Sequence, residues 1–297
     1  MKSIDWHAGF VDAMRLELLA DEDSLTFEAE YHIANRAQRI DLLIIKKAGS
    51  TPIVNEIGEI FDKFNIVEYK SPEAELTIGD FYKTLSYTCI YLEELHKYDE
   101  YGRDAFTMTL VRQRRPIKLI KLLKRDGYEV IHKSKGIYEI RGHLPFRTQL
   151  IISSEWDDED PKVHTWLRGL TNKGTKSELQ GILDLTPGLD PKHKMYADGV
   201  MNVFADANED LIIKSKEEPT MCDAINRIFA EETAAEKKRA DEAEAKLNDA
   251  EIRAINAETR ANNAETRASN AETRANNAEA LLGKAMAEIA KLKAAVK

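Results

Sequence analysis

The chain has 297 residues, enough for one large domain or two modest ones. Its 43% hydrophobic content can build a core, and 32% charged residues leave an unusual surplus of charge for the surface. The net charge of −9 argues against a protein that coats nucleic acid nonspecifically. No stretch approaches the ~18 consecutive apolar residues of a membrane span, and "MKSIDWHAGF" carries no apolar leader. Two distant cysteines, Cys89 and Cys222, suggest neither a disulfide framework nor a zinc site, so a cytoplasmic location without membrane contact is expected.

In chain order, "IDWHAGFVDAMRLELLAD" places Trp6, Phe10, Met14 and Leu18 at helical spacing and predicts a first helix. "LTFEAEYHIA" alternates as a strand does, and "RIDLLIIKK" is a continuous apolar run that suggests a strand buried on both faces. "FNIVEYKS" follows as a third strand. "TIGDFYKTLSYTCIYLEELHK" predicts a long helix packed through Ile78, Phe81, Leu85, Cys89 and Leu92. "AFTMTLV" returns to strand, and Pro116 opens a helix, "PIKLIKLLKRDG", that Gly127 closes. A hairpin, "GYEVIHKSKGIYEIRG", and a last strand, "FRTQLIISSE", complete a mixed α/β domain over residues 1–152.

Residues 153–229 predict short helices between Pro- and Gly-bearing turns, a small helical connector with no catalytic spacing. From residue 230 the chain becomes an alanine-rich helical tail. Its alanines from Ala250 to Ala278 step alternately by four and three, and Leu282, Ala285, Ile289, Leu292 and Val296 keep the phase. With Ala261 at position a and Ala264 at d, Glu265 falls at e and Arg267 at g, opposite charges that favour pairing between helices. A single solvated helix is the alternative, because Ala and spaced Glu–Arg pairs stabilise isolated helices too. The expectation is a homo-oligomer joined through residues 250–297, with strand number and orientation open.

The acids of the first region carry the chemistry. Asp41 sits within an apolar strand, where aspartate is disfavoured, and Glu68 and Lys70 share one face of the next strand by period-2 geometry. Two carboxylates converging at a sheet edge suit a hard divalent cation such as Mg²⁺, which takes oxygen ligands and keeps several waters. Lys70 beside them suits a nucleophilic water or the charge that builds on a phosphate. From Arg112 to Lys135 there are nine Lys or Arg against two acids. That run is compatible with a phosphate backbone and equally with a solvated amphipathic helix.

An Asp on one strand and a hydrophobic strand ending in E-x-K resemble the PD-(D/E)XK nuclease superfamily. The order helix, strands, E-x-K strand, helix, strand is similar to that superfamily's core. "YHIANRAQRIDLLIIKK", "NEIGEIFDKFNIVEYKSPEAELTIGDFYKTLSYTCIYLE" and "VRQRRPIKLIKLLK" resemble the bacterial transposase-associated, recombination-promoting branch. The resemblance covers roughly residues 5–152. It implies a restriction-endonuclease-like fold, a central mixed β-sheet flanked by helices. It also implies Mg²⁺-dependent DNA cleavage, with Mn²⁺ able to substitute. Asp41 and Glu68 would be metal ligands and Lys70 the catalytic lysine. By the same resemblance, Glu17 on the first helix would join the metal ligands. Lys83 and Tyr87 would stand where members often carry a Gln and a Tyr four apart. Ile40 replaces the proline of the superfamily's name.

The expected function is therefore a metal-dependent DNA endonuclease, in transposition, recombination or defence against foreign DNA. Lys83, Arg112, Arg114, Arg115 and Lys118 are the expected contacts to the DNA backbone. The alternative is a catalytically inactive nuclease-like scaffold that binds DNA or a protein.

Overall fold

The computed structural model describes residues 4–33, 39–49, 51–95, 98–156 and 163–217, with isolated positions at 225, 226, 279, 281–284 and 286. The chain divides into two compact units, 1–232 and 233–297. In the second, Leu281, Leu282 and Met286 are exposed, and most of the heptad seam lies outside the described residues.

The first unit is built on a seven-stranded mixed sheet. Its elements are α1 (Trp6–Glu17), β1 (Leu25–His32), β2 (Arg39–Lys46), β3 (Phe64–Lys70), α2 (Ile78–Glu94), α3 (Tyr98–Tyr101), β4 (Phe106–Arg112), α4 (Ile117–Arg125), β5 (Glu129–Ser134), β6 (Ile137–Arg141) and β7 (Arg147–Ile152). Then follow α5 (Thr165–Arg168), α6 (Lys176–Leu185), α7 (Pro191–Ala207) and α8 (Glu209–Ser215). The strand order is β1-β2-β3-β4-β7-β6-β5. The three central strands, β3, β4 and β7, run parallel, and antiparallel pairs flank them on both sides.

Alternation sorts the strands' side chains onto two faces. Leu42, Ile44, Val67, Tyr69, Val111 and Ile151 pack beneath α1, α5, α6 and α7. On the other face, Leu43, Phe64, Ile66 and Met108 meet α2, while Leu110, Leu150 and Ile152 meet α4 and the start of α2. β3 and β4 are buried along almost their whole length, as their near-continuous apolar runs require of central parallel strands. α4 is sharply two-sided, with Leu119, Ile120 and Leu123 buried and Lys118, Lys121, Lys124 and Arg125 exposed. Gly127 follows it at φ +88°. No described helix is long and apolar enough to cross a membrane.

Two expectations about packing change. The buried stripe of α2 is Phe81, Thr84, Thr88 and Tyr91, and Cys89 is exposed. Thr84 and Thr88 donate their hydroxyls to the carbonyls of Asp80 and Thr84, each at 2.9 Å, so only their methyl groups reach the core unpaired. The helices after residue 163 do more than connect. Phe10 and Met14 of α1 share one core with Leu167, Leu179, Ile182, Val200 and Phe204. Burying each such side chain contributes about 1.5–3 kcal/mol, so α1 depends on the helices after residue 163 for much of its stability.

Candidate active site

Asp41 and Glu68 meet because of where the β2–β3 ladder stops. Its last pair is Leu42 with Val67, so one step further Asp41 stands opposite Glu68. In place of a backbone partner, the Tyr69 N–H donates to Asp41 Oδ2 at 2.8 Å. An aspartate within an apolar strand thus has a structural account: its carboxylate continues the ladder and is oriented by it. The pair lies at the carboxyl ends of parallel β3 and β4, the edge where α/β sheets commonly bind ligands.

Glu68 is 2% exposed and faces α2. Both Lys83 Nζ, at 2.5 Å, and Lys70 Nζ, at 3.0 Å, reach its Oε1. Burial and then the Asp41 charge push the Glu68 carboxyl above its ordinary range, and the two ammonium groups only partly reverse this. Burial works against the Lys70 ammonium, but the Glu68 and Asp80 carboxylates outweigh it and hold Lys70 above the usual lysine range. Lys70 Nζ lies 3.0 Å from Asp80 Oδ1. Asp80 in turn belongs to the capping box of α2: its Oδ2 accepts from the backbone and hydroxyl of Thr77 at 2.8 and 2.7 Å.

Lys83 reaches Glu68 from the second turn of α2 and lies 5.4 Å from the centre of the Tyr87 ring, one turn on. From α1, His7 Nε2 comes within 3.7 Å of Asp41 Oδ2, and its ring stands edge-on to Tyr69. Its approach to the Asp41 carboxylate raises His7 above its ordinary value, against burial. A cavity of about 320 Å³ opens beside Asp41 and is lined by His7, Asp12 and Glu30 among others. Glu30 would make a third acid in the row of Asp41 and Glu68. A left-handed backbone, φ +47°, interrupts the strand there, and Glu30 Oε2 accepts from Arg39 Nη1 at 2.7 Å.

Asp41, Glu68, Lys70, Lys83 and Tyr87 are therefore one cluster, and Glu17 is not in it. Glu17 follows His7 by ten residues along α1, about 15 Å at helical rise. Its Oε1 accepts from the Leu167 N–H at 3.0 Å, and its Oε2 lies 3.2 Å from His164 Nδ1. His164 Nε2 meets Glu56 Oε1 at 2.7 Å, and Trp156 stacks on the ring at 4.0 Å. Glu17 thus belongs to a carboxylate–imidazole–carboxylate clasp, buried at Glu17 and His164 and open to solvent at Glu56, that ties α1 to α5. The first-helix residue beside Asp41 is His7. Its signal was present in the sequence: it lies three residues before the buried Phe10, which stacks on Tyr69 at 4.4 Å. Asp80 was legible too, three residues after Thr77 in a T-x-x-D helix start.

The basic positions divide. Arg112 ends β4 opposite Lys70, half-buried, with its Nε buried and unpaired among the described residues. Arg114 is exposed, 3.3 Å from Asn172. Arg115 is committed elsewhere: its Nη1 donates to both Tyr138 Oη and Glu155 Oε1 at 2.7 Å. Lys118 pairs with Glu75 at 2.9 Å on the surface, where such a pair is worth little and yields to a competing anion.

Asp41 and Glu68 supply the oxygen donors a hard cation prefers. Among the described residues no group of three or more His, Cys, Asp or Glu side chains is placed to hold a metal. A cation that keeps several of its own waters fits two carboxylates, and a structural zinc ion does not. No family model, curated protein or solved structure matches the chain.

Proposed function

We propose that the protein is a metal-dependent DNA endonuclease of the PD-(D/E)XK kind. The observation that carries this reading is the convergence of Asp41, Glu68 and Lys70 at the carboxyl edge of β3, with Lys70 held at 3.0 Å from both Glu68 and Asp80. Asp41 and Glu68 would hold a Mg²⁺ or Mn²⁺ ion. When bound, such an ion supplies charge neutralisation at the phosphodiester and eases loss of a proton from water. Tyr69 orients Asp41 through its backbone N–H, so that carboxylate needs little reorganisation. Lys70, anchored by Asp80, presents an ammonium group to a water or a phosphate oxygen. The exposed basic side chains Arg114, Lys118, Lys121 and Lys124 offer salt-dependent contacts to a nucleic-acid backbone. The heptad tail would bring two such sites together on one duplex.

Incubating plasmid DNA with the protein and Mg²⁺ or Mn²⁺, beside Asp41→Ala and Lys70→Ala, tests the reading. Nicking by the wild type and its loss in both variants is expected. Equal rates in all three would remove the enzyme and leave a nuclease-like scaffold that binds DNA or a protein. One observation favours that second reading: among the described residues no third acid joins Asp41 and Glu68 as a metal-holding group, and lysines already neutralise one of the two.

A further inference from the structure

Glu68 has two lysines on one oxygen, and their surroundings differ. Lys70 has a second carboxylate, Asp80, which the helix cap of α2 holds in place. Among the described residues Lys83 has only Glu68 and the face of Tyr87, and at 35% exposure it is the more open of the two. Glu68 is 2% exposed and needs a counter-charge beside it, and Lys70 supplies one with or without Lys83. A divalent ion held by Asp41 and Glu68 would place two further charges beside both ammonium groups. Lys70 would keep Asp80 as its partner. Lys83 would lose the Glu68 carboxylate and meet a cation at close range.

We propose that Lys83 is a displaceable internal counter-ion: it occupies Glu68 until a divalent cation takes the carboxylate. Its ammonium then turns outward along α2, past Tyr87, to a phosphate of the substrate. The assignment rests on the metal-site reading of Asp41 and Glu68. It makes Lys83 a positioning residue with two alternating partners, a carboxylate in the metal-free protein and a phosphate in the complex. Competition for Glu68 weakens metal affinity in the free protein. A phosphate that captures Lys83 relieves that competition, so metal and nucleic acid each favour the other's binding.

Mn²⁺ titration of the full chain at pH 8, read from the electron paramagnetic resonance signal of the free ion, tests the proposal. Wild type, Lys83→Met, Lys83→Gln and Asp41→Asn are compared, and two substitutions at Lys83 guard against one that misfolds. Both Lys83 variants should bind Mn²⁺ roughly tenfold more tightly than wild type, as loss of a competing charge-assisted contact implies. Asp41→Asn should bind it far more weakly. Equal or weaker affinity in both Lys83 variants, with binding still lost in Asp41→Asn, overturns the counter-ion role and leaves the metal site standing. If Asp41→Asn binds as well as wild type, or if no variant binds Mn²⁺, the metal-site reading falls and the counter-ion role with it.

Discussion

Asp80 divides its carboxylate between two tasks: Oδ2 caps α2 through Thr77, and Oδ1 holds Lys70 at 3.0 Å. Helix start and candidate catalytic lysine are thereby fixed to each other. Asp80→Asn keeps a cap-competent oxygen and removes the charge, so it should lower plasmid nicking by roughly tenfold with little change in melting temperature. Asp80→Ala should lower nicking similarly and also cost about 1 kcal/mol of stability. Denaturant unfolding beside the nicking assay separates the two effects.

The His164 clasp should make stability fall on the alkaline side. With Glu17 at one ring nitrogen and Glu56 at the other, both nitrogens must donate, which only the imidazolium does. Burial opposes the charge, but the two carboxylates outweigh it, and the folded pKa is raised from the ordinary 6.5. The clasp's contribution is therefore complete below about pH 6.5 and is lost as pH climbs through the higher folded value. His164→Gln should flatten this alkaline loss, on the order of 1 kcal/mol, in urea unfolding at pH 6 and pH 9. An unchanged pH profile in the variant would show that the clasp does not titrate in this range.

Gly136 forms the β5–β6 turn at φ +72°, and a Cβ there would lie 2.9 Å from the Ile152 carbonyl oxygen and from the Trp156 indole nitrogen. The Gly136 carbonyl also accepts from the Ile152 N–H at 2.7 Å. Gly136→Ala should cost about 2 kcal/mol or more, from left-handed strain and from displacing β7. Thermal unfolding of the variant measures it.

Arg115 should matter to the fold and not to nucleic acid. Both of its contacts, Tyr138 and Glu155, are internal. Arg115→Ala is expected to lower melting temperature while leaving the salt dependence of DNA binding unchanged. Removing Lys121 and Lys124 together should weaken binding and reduce the log–log salt slope by roughly two. Fluorescence anisotropy with a labelled duplex across a salt series distinguishes the two cases.

Ending the chain at Glu232 removes the heptad seam. Light scattering should then give the mass of a single chain, against a multiple of it for the full protein. A truncated form that keeps the multiple would place the contact in the first unit.

Much of this architecture was legible in the sequence, because alternation and apolar runs mark strands locally. All seven strands lie where those patterns place them, and Pro116 and Gly127 bracket α4. Asp41, Glu68 and Lys70 were legible for a related reason: a charged residue in a strand otherwise apolar stands out. The rest depends on partners far along the chain. Periodicity offers Leu85 and Cys89 as the buried face of α2, and only the hydroxyl bonds of Thr84 and Thr88 show why threonines take that side. A carboxylate on α1 is expected near the site, yet which turn of the helix reaches Asp41 depends on how α1 crosses the sheet. That crossing brings His7 to Asp41 and sends Glu17 to a histidine 147 residues later. The role of residues 163–217 was equally hidden, because a helix's apolar stripe does not name the surface that covers it.

The pairing of α1 with α7 has a consequence for the life of the chain before it is finished. The ribosome makes Phe10 and Met14 early, and Val200 and Phe204, which share their core, follow nearly two hundred residues later. Throughout that interval the first helix has an oily side and only part of its permanent neighbourhood. A nascent chain of this kind is a natural client for chaperones. Any fragment that stops at residue 152 would carry the same exposed helix for good.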